Sequence, residues 1–367
     1  MAEKTRQRKA DHINKCLNQN VQAKQATTGF EDISFIHKAL PNIDRQKIDL
    51  STQFLGHKFK APILVGAMTG GTQEAERINT HIAEAIEKLG LGMGVGSQRA
   101  AIEDKTLVET FSIARKKAPT AFLVANIGGV QLVNGYGVTQ AKKAIKMIEA
   151  DALAIHLNAM QEAIQPEGQT NFKGVLSKIG EIAGELDVPV IVKETGSGIA
   201  AEEAKDLAAA GVKAIDIGGL GGTSFAAVEY YRTESKENNL QRFLGEAFWD
   251  WGISTAVSLA EITQTVDISV VASGGIRSGA DIGKALALKA NLASLSQPVL
   301  KTADKSSAET ENLLSKLIEE LRNVMFLVGA EKVDKLAQTP VVITGKTSKW
   351  LKTRGFDVLG YARRGMD

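Results

Sequence analysis

The chain has 367 residues, 44% hydrophobic, 23% charged and 5% aromatic, with 35 glycines against 7 prolines. This balance excludes a disordered or low-complexity polypeptide, and a formal net charge of +2 gives no global electrostatic case for binding nucleic acid. The single cysteine, Cys16, excludes an internal disulfide and suits a reducing compartment. The N-terminus carries charges where a secretory signal needs an apolar core, and no apolar run is long enough to span a bilayer, so a cytoplasmic protein with no membrane partner is expected.

In chain order, the first element is a basic end: Lys4, Arg6, Arg8, Lys9, Lys15 and Lys24 against Glu3 and Asp11. Read alone, such an end is solvated. From residue 63 the pattern becomes regular. Short apolar runs at 63–68, 91–96, 121–127, 152–158, 189–195, 214–219, 268–275 and 291–296 each end in glycine or polar residues. They are continuous rather than alternating, as strands buried on both faces are. Between them lie helical patterns such as EAERINTHIAEAIEKLG and AAEEAKDLAAAG, the second closing on Gly211.

Eight such units in series predict an α/β protein with a (β/α)8 TIM barrel, the runner-up being a doubly wound open sheet. Residues 1–62 then form an N-terminal arm, 63–340 the barrel and 341–367 a C-terminal extension. A long helix is expected from about residue 305. The insertion 223–251 carries Phe225, Tyr230, Tyr231, Phe243, Phe248, Trp249 and Trp251 among its charges, and reads either as a lid or as a subunit interface.

In a barrel the site lies at the C-terminal ends of the strands. Those ends read MTGG, GSQR, ANIGG, HLNAMQE, KETGSG, GGLGGTSF, SGGIR and SLSQP, polar or glycine-rich almost throughout. SGGIR, containing Gly274, Gly275 and Arg277, follows the seventh strand, where barrels bind phosphate with backbone N–H groups. Lys193 closes an apolar strand and needs an anionic or electron-rich partner. A flavin edge is one such partner and the neighbouring Glu194 another. Ala67, Met68, Thr69 and Asn126 offer small and polar surfaces to a flat heterocycle. HLNAMQEAIQPEG packs His156, Asn158, Gln161 and Glu162 together. If the strand continues through it, Gln161 and Glu162 point to opposite sides, and His156 and Asn158 share a face.

AMTGG, GSQR, HLNxxQExxQPEG, KETGxG, GGxGGTSF and SGGIR, with RKADHI before the barrel and ITGKTSKWLKTRG after it, together resemble the type 2 isopentenyl-diphosphate isomerases. The chain departs from that family's pattern at ASLSQP, where Ser294 stands in place of an expected glycine. The resemblance implies FMN as cofactor, held by Ala67, Met68, Thr69, Ser97, Asn126, Lys193, Thr223, Gly274, Gly275, Arg277, Ser296 and Gln297. It further implies NADPH as reductant, Mg²⁺ on Glu162, and a diphosphate substrate met by Arg8, Lys9, Ser97, Gln98, Arg99, His156, Asn158 and Gln161. Gln161 and His156 would be the catalytic side chains, with the reduced flavin itself as acid and base, in a homo-oligomer of four or more subunits. The competing reading is an FMN-dependent oxidoreductase of a small hydroxy acid. Such an enzyme commonly uses a histidine or cysteine as base, yet no histidine follows His156 and Cys16 lies in the arm.

Overall fold

In the computed structural model, residues 2–233 and 239–366 are described. All eight expected strands form: β1 (Ile63–Val65), β2 (Gly92–Gly94), β3 (Phe122–Gly128), β4 (Ala152–His156), β5 (Val190–Lys193), β6 (Ala214–Asp216), β7 (Ser269–Ser273) and β8 (Leu292–Leu295). They pair in parallel in chain order, and β8 returns to β1 through Ala293↔Ile63 and Leu295↔Val65. The sheet is a closed barrel, not an open doubly wound one.

Closure gives each strand an inner and an outer face. Outer residues such as Ile63, Val65, Met93 and Ile155 pack into one large core with the surrounding helices. Inner residues Leu64, Phe122, Val124, Ala152, Ala154, Ile191, Ala214, Val271 and Leu292 form a second cluster. Two residues further along their strands stand Asn126, His156, Lys193, Asp216, Ser273 and Ser294. Positions two apart share a strand face, so the barrel interior is apolar low down and polar at its C-terminal mouth.

The arm serves both ends of this barrel. Its two short antiparallel strands, Thr52–Phe54 and His57–Phe59, close the bottom. Phe54 and Phe59 are fully buried in the inner cluster, with ring centroids 5.7 and 5.5 Å from Phe122. Gly92 makes room for this plug: a Cβ there would meet the Phe59 ring at 2.8 Å. At the mouth lies helix α1 (Ala2–Asn18). The chain then runs antiparallel to 222–224, where Ala23 N donates to Gly222 O (2.9 Å) and Ser224 N to Val21 O (2.8 Å). Further on, Ile33–Phe35 pairs with Val341–Ile343 of the C-terminal extension. That extension is pinned to the barrel wall by buried Glu261, which accepts from Trp350 Nε1 (2.9 Å) and Arg354 Nε (2.8 Å). The helix expected from about 305 spans Ser307–Val328.

The insertion supplies α2 (Phe225–Arg232) and α3 (Asn239–Ala247). Ala227, Val228 and Trp249 bury themselves with Val21 of the arm, and Tyr230 and Tyr231 meet Trp249 edge to face at 5.4 and 5.8 Å. Leu240, Phe243 and Trp251 are exposed. The aromatic residues therefore divide between an inner half that clasps the arm and an outer half that faces solvent.

The bottom plug yields a stability prediction. Phe59→Ala leaves a cavity between the hairpin and the barrel floor and should cost about 3–5 kcal/mol. Denaturant unfolding should show a lower midpoint with little change in slope; an unchanged midpoint would mean the plug is not held by this ring.

Candidate active site

The residues singled out from the sequence, Gln98 apart, border one cavity at the barrel mouth. Gln98 turns away from it. Its side chain is fully buried in the wall, where Oε1 accepts from Asn126 N (2.8 Å) and Nε2 donates to Ala144 O (2.8 Å). Both ends of the amide are already bonded, so it braces β3 and is not presented to a ligand.

The strand does not continue through HLNAMQE. β4 stops at His156, and Gln161 and Glu162 sit in a short helix, Ala159–Ile164. They are therefore not split to opposite sides by strand alternation. Asn158 Nδ2 donates to both Gln161 Oε1 (3.2 Å) and Glu162 Oε1 (3.0 Å). The QPEG turn then folds back, so that Glu162 Oε2 accepts from Gln165 Nε2 (2.6 Å) and Gln169 N (2.7 Å). Gly168 lies so close to the Glu162 carbonyl that a Cβ would collide with it.

The tautomer of His156 follows from its neighbours. Asn126 Nδ2 donates to Val95 O (3.1 Å), which leaves Oδ1 as an acceptor 2.8 Å from His156 Nδ1. Nδ1 therefore carries the proton and Nε2 keeps its lone pair. Burial, with Lys193, Arg8 and Lys9 nearby, pushes this imidazole down to about 4, so it is neutral at pH 7.

Lys193 also finds a partner. Its Nζ donates to Glu194 O (2.6 Å) and stands 3.7 Å from Asp216 Oδ2. Asp216 in turn accepts from Ser273 Oγ. The Glu194 carboxylate instead accepts from the backbone N–H of Thr195, Gly196 and Ser197 at 2.6, 2.6 and 2.5 Å. Burial pushes Glu194 up to about 7 against those bonds.

Arg8, Lys9, His12, Ile13 and Cys16 line the cavity from one face of α1, at helical spacing. Lys9 Nζ donates to Gly70 O (2.8 Å) and Ser97 O (2.6 Å), from the loops after β1 and β2, and lies 4.9 Å from the Phe111 ring centroid. Burial and the neighbouring Arg8 bring it down to about 7. The ammonium thus fastens the arm to the barrel. Arg8 is pulled below its ordinary value by burial, and Glu167 and Glu162 oppose that shift. Arg99 Nε donates to Glu103 Oε1 (2.8 Å) at the cavity edge.

Sequence reading missed Glu229 of α2. It is fully buried and accepts from Gln161 Nε2 (3.3 Å) and Arg232, with His12 Nε2 at 2.9 Å. Burial pushes its carboxyl up, but His12 and Arg232 bring it to a net value below the usual range. The signal was a carboxylate on the buried stripe of FAAVEYYR, one turn from Phe225.

The mouth also shows a shape and a set of orphan atoms that a flavin nucleotide would fit. Gly274 and Gly275 hold φ of 104° and 70°, a conformation that bares backbone N–H groups. Two cavity-lining side chains, Asn158 and Ser294, keep a buried oxygen with no partner.

These features define a barrel enzyme of the flavin-nucleotide class. The FMN-dependent dehydrogenase family model matches residues 1–127 and 129–343. The isopentenyl-diphosphate delta-isomerase of Methanothermobacter thermautotrophicus is 46% identical over 357 residues, covering 97% of this chain and 99% of that protein. That of Pyrococcus abyssi is 48% identical over 371 residues, covering 99% of each. Within the FMN-dependent class, then, the chain belongs to the isopentenyl-diphosphate delta-isomerase family. A solved mandelate oxidase bound to 2-hydroxy-phenylacetamide superposes with a TM-score of 0.63, covering 94% of this chain and 98% of that one. At 17% identity it shares the fold alone, and lends no weight to the hydroxy-acid alternative.

His156 gives a pH prediction. A base whose folded value is lowered contributes stability that is fully present above its ordinary value of 6.5 and lost as pH falls from there to about 4. The loss should reach up to about 3 kcal/mol for the part-buried ring. Glu194, held up at about 7, contributes with the opposite sign over the same range, so the test is a difference: from pH 7 to 4 the parent should lose stability relative to His156→Asn, and parallel profiles would remove the contribution.

Proposed function

We propose that the protein interconverts isopentenyl and dimethylallyl diphosphate, moving one carbon–carbon double bond by a 1,3-allylic proton shift, with reduced FMN and Mg²⁺ at the barrel mouth. The observation that carries this reading is one cavity joining arginines, a lone carboxylate among amides and a glycine cradle. Gly274, Gly275 and Arg277 would hold the flavin phosphate, together with Ser296 and Gln297, and Lys193 with Ala67–Thr69 and Asn126 would seat the ring. When bound and reduced, FMN supplies an electron-rich ring that can exchange a proton with the alkene carbons and face the developing cation. NADPH would reduce it without being consumed in each turnover, because the isomerisation has no net redox change.

Among the described residues there is no group of three or more His, Cys, Asp or Glu able to hold a metal ion. Glu162 beside the orphaned Asn158 Oδ1 nevertheless suits Mg²⁺, which commonly takes one or two carboxylates and completes its shell with water and substrate phosphate oxygens. Arg8 and Arg99 would clamp the diphosphate. His156, already donating through Nδ1, would present an acceptor at Nε2. Gln161 is held between Asn158 and Glu229, and its amide would face the alkene. Lys9 would act on the substrate mainly by holding α1, and so Arg8, over the mouth.

No helix among the described residues is long and apolar enough to cross a membrane. Exposed Leu240, Phe243 and Trp251 support a homo-oligomer, and the lone cysteine supports the cytoplasm.

The first test supplies isopentenyl diphosphate, FMN, NADPH or dithionite, and Mg²⁺. Dimethylallyl diphosphate should appear only with reduced flavin, and undiminished turnover in flavin-free protein would end the reading. Glu162→Gln should keep FMN bound, weaken the Mg²⁺ dependence and lower turnover by about a hundredfold. A normal Mg²⁺ titration and normal turnover in that variant would make the carboxylate structural. Gln161→Ala should instead leave the Mg²⁺ titration near normal while turnover falls. Arg8→Ala should raise KM with the flavin spectrum unchanged, and wild-type kinetics would remove Arg8 from the diphosphate.

A further inference from the structure

Ser294 is the inner-face residue of β8 at the level of Ser273, with which it is in register. It is 2% exposed and its Oγ has no hydrogen-bond partner. Its neighbour differs in this respect. The Ser273 hydroxyl donates to Asp216 and accepts from Gly218 N at 2.9 Å. A buried hydroxyl without a partner is costly, and a satisfied alternative was available at this position in alanine or glycine. Two residues beyond its register partner Leu64 stands Gly66, where a Cβ would come within 3.0 Å of the Ser294 Oγ, so the hydroxyl occupies space the glycine leaves open.

The order of strands says what the hydroxyl would meet. β8 lies between β7 and β1 in the barrel. β7 leads into Gly274–Gly275 and β8 into Ser296–Gln297, together the seat assigned above to the flavin phosphate, and β1 leads into Ala67–Thr69, assigned to the ring. A molecule reaching from the first seat to the second leaves the end of β8 with the segment that joins phosphate to ring, and Ser294 is the inner-face residue just below that end. In FMN that segment is a ribityl chain carrying hydroxyl groups. We propose that Ser294 is a cofactor-binding residue whose hydroxyl pairs with the ribityl chain of the flavin, an inference that rests on the FMN reading of the mouth.

The experiment titrates flavin-free wild-type protein and Ser294→Ala with FMN, riboflavin and lumiflavin, following flavin fluorescence, and records the thermal midpoint of both proteins without flavin. Ser294→Ala should raise Kd about tenfold for FMN and for riboflavin, leave lumiflavin unaffected because it lacks the chain, and keep or raise the flavin-free midpoint. Ser294→Gly is the second variant should alanine fold poorly, and should show the same pattern of Kd changes. Equal FMN affinity in wild type and variant would overturn the proposal. A loss with FMN but not riboflavin would move the contact to the phosphate and overturn it as well, and a loss with lumiflavin would make it a ring or packing effect. Wild-type protein that binds no FMN would instead defeat the flavin reading itself.

Discussion

The two-residue period of a strand closed into a barrel is the constraint on which the rest depends. Closure forces alternate side chains inward, where only a packed apolar floor or a satisfied polar layer is stable. Val124, Ala154, Ile191, Ala214, Val271 and Leu292 supply part of the first. Asn126, His156, Lys193, Asp216, Ser273 and Ser294, one period on, supply the second. Polar groups at this depth must find partners, and most do: Asn126 with Val95 and His156, Lys193 with Asp216, Asp216 with Ser273. The same pairing fixes the tautomer of His156 and leaves its Nε2 lone pair available, while burial and the nearby cations keep the ring neutral; it also positions Lys193 at the end of β5. The exception, Ser294, is informative because it stands out against a satisfied background.

The arm plugs one end of this barrel and partly covers the other. Its hairpin fills the floor, and α1 lies across the mouth, fastened by the Lys9 ammonium to carbonyls of two different loops. The insertion clasps the arm from outside through Trp249 and the two tyrosines, and sets buried Glu229 behind the cavity wall against Gln161 and His12. Glu229 therefore joins three parts of the chain, binding His12 of the arm, Gln161 after β4 and Arg232 of its own helix. The proposed cation chemistry needs water excluded, which this lattice of buried contacts would do, and Arg8 and Arg99 would be the groups to meet a diphosphate.

What the sequence determined by itself is the barrel and the level of its site. Eight apolar runs of similar spacing carry that information locally, and the polar ends of the strands mark the mouth, because alternation acts over two residues and is visible in any short window. Most of the cavity was legible for the same reason. Tertiary structure decided the rest. β4 stops at His156 and the QPEG turn returns onto Glu162, so Gln161 and Glu162 share a helix that the strand pattern had not implied. Gln98 carries the right chemistry in the right motif, but the backbone of Asn126 and the carbonyl of Ala144 take both ends of its amide, and that competition exists only once the wall is assembled. Lys9 reads as a free cation until two loops, 61 and 88 residues away, bring their carbonyls to it. Glu229 lies 217 residues from His12 and could be paired only by folding the arm onto the insertion. Local periodicity is written in neighbouring residues, whereas the partner of a buried polar group is chosen by whichever distant atom the finished fold places within hydrogen-bond reach.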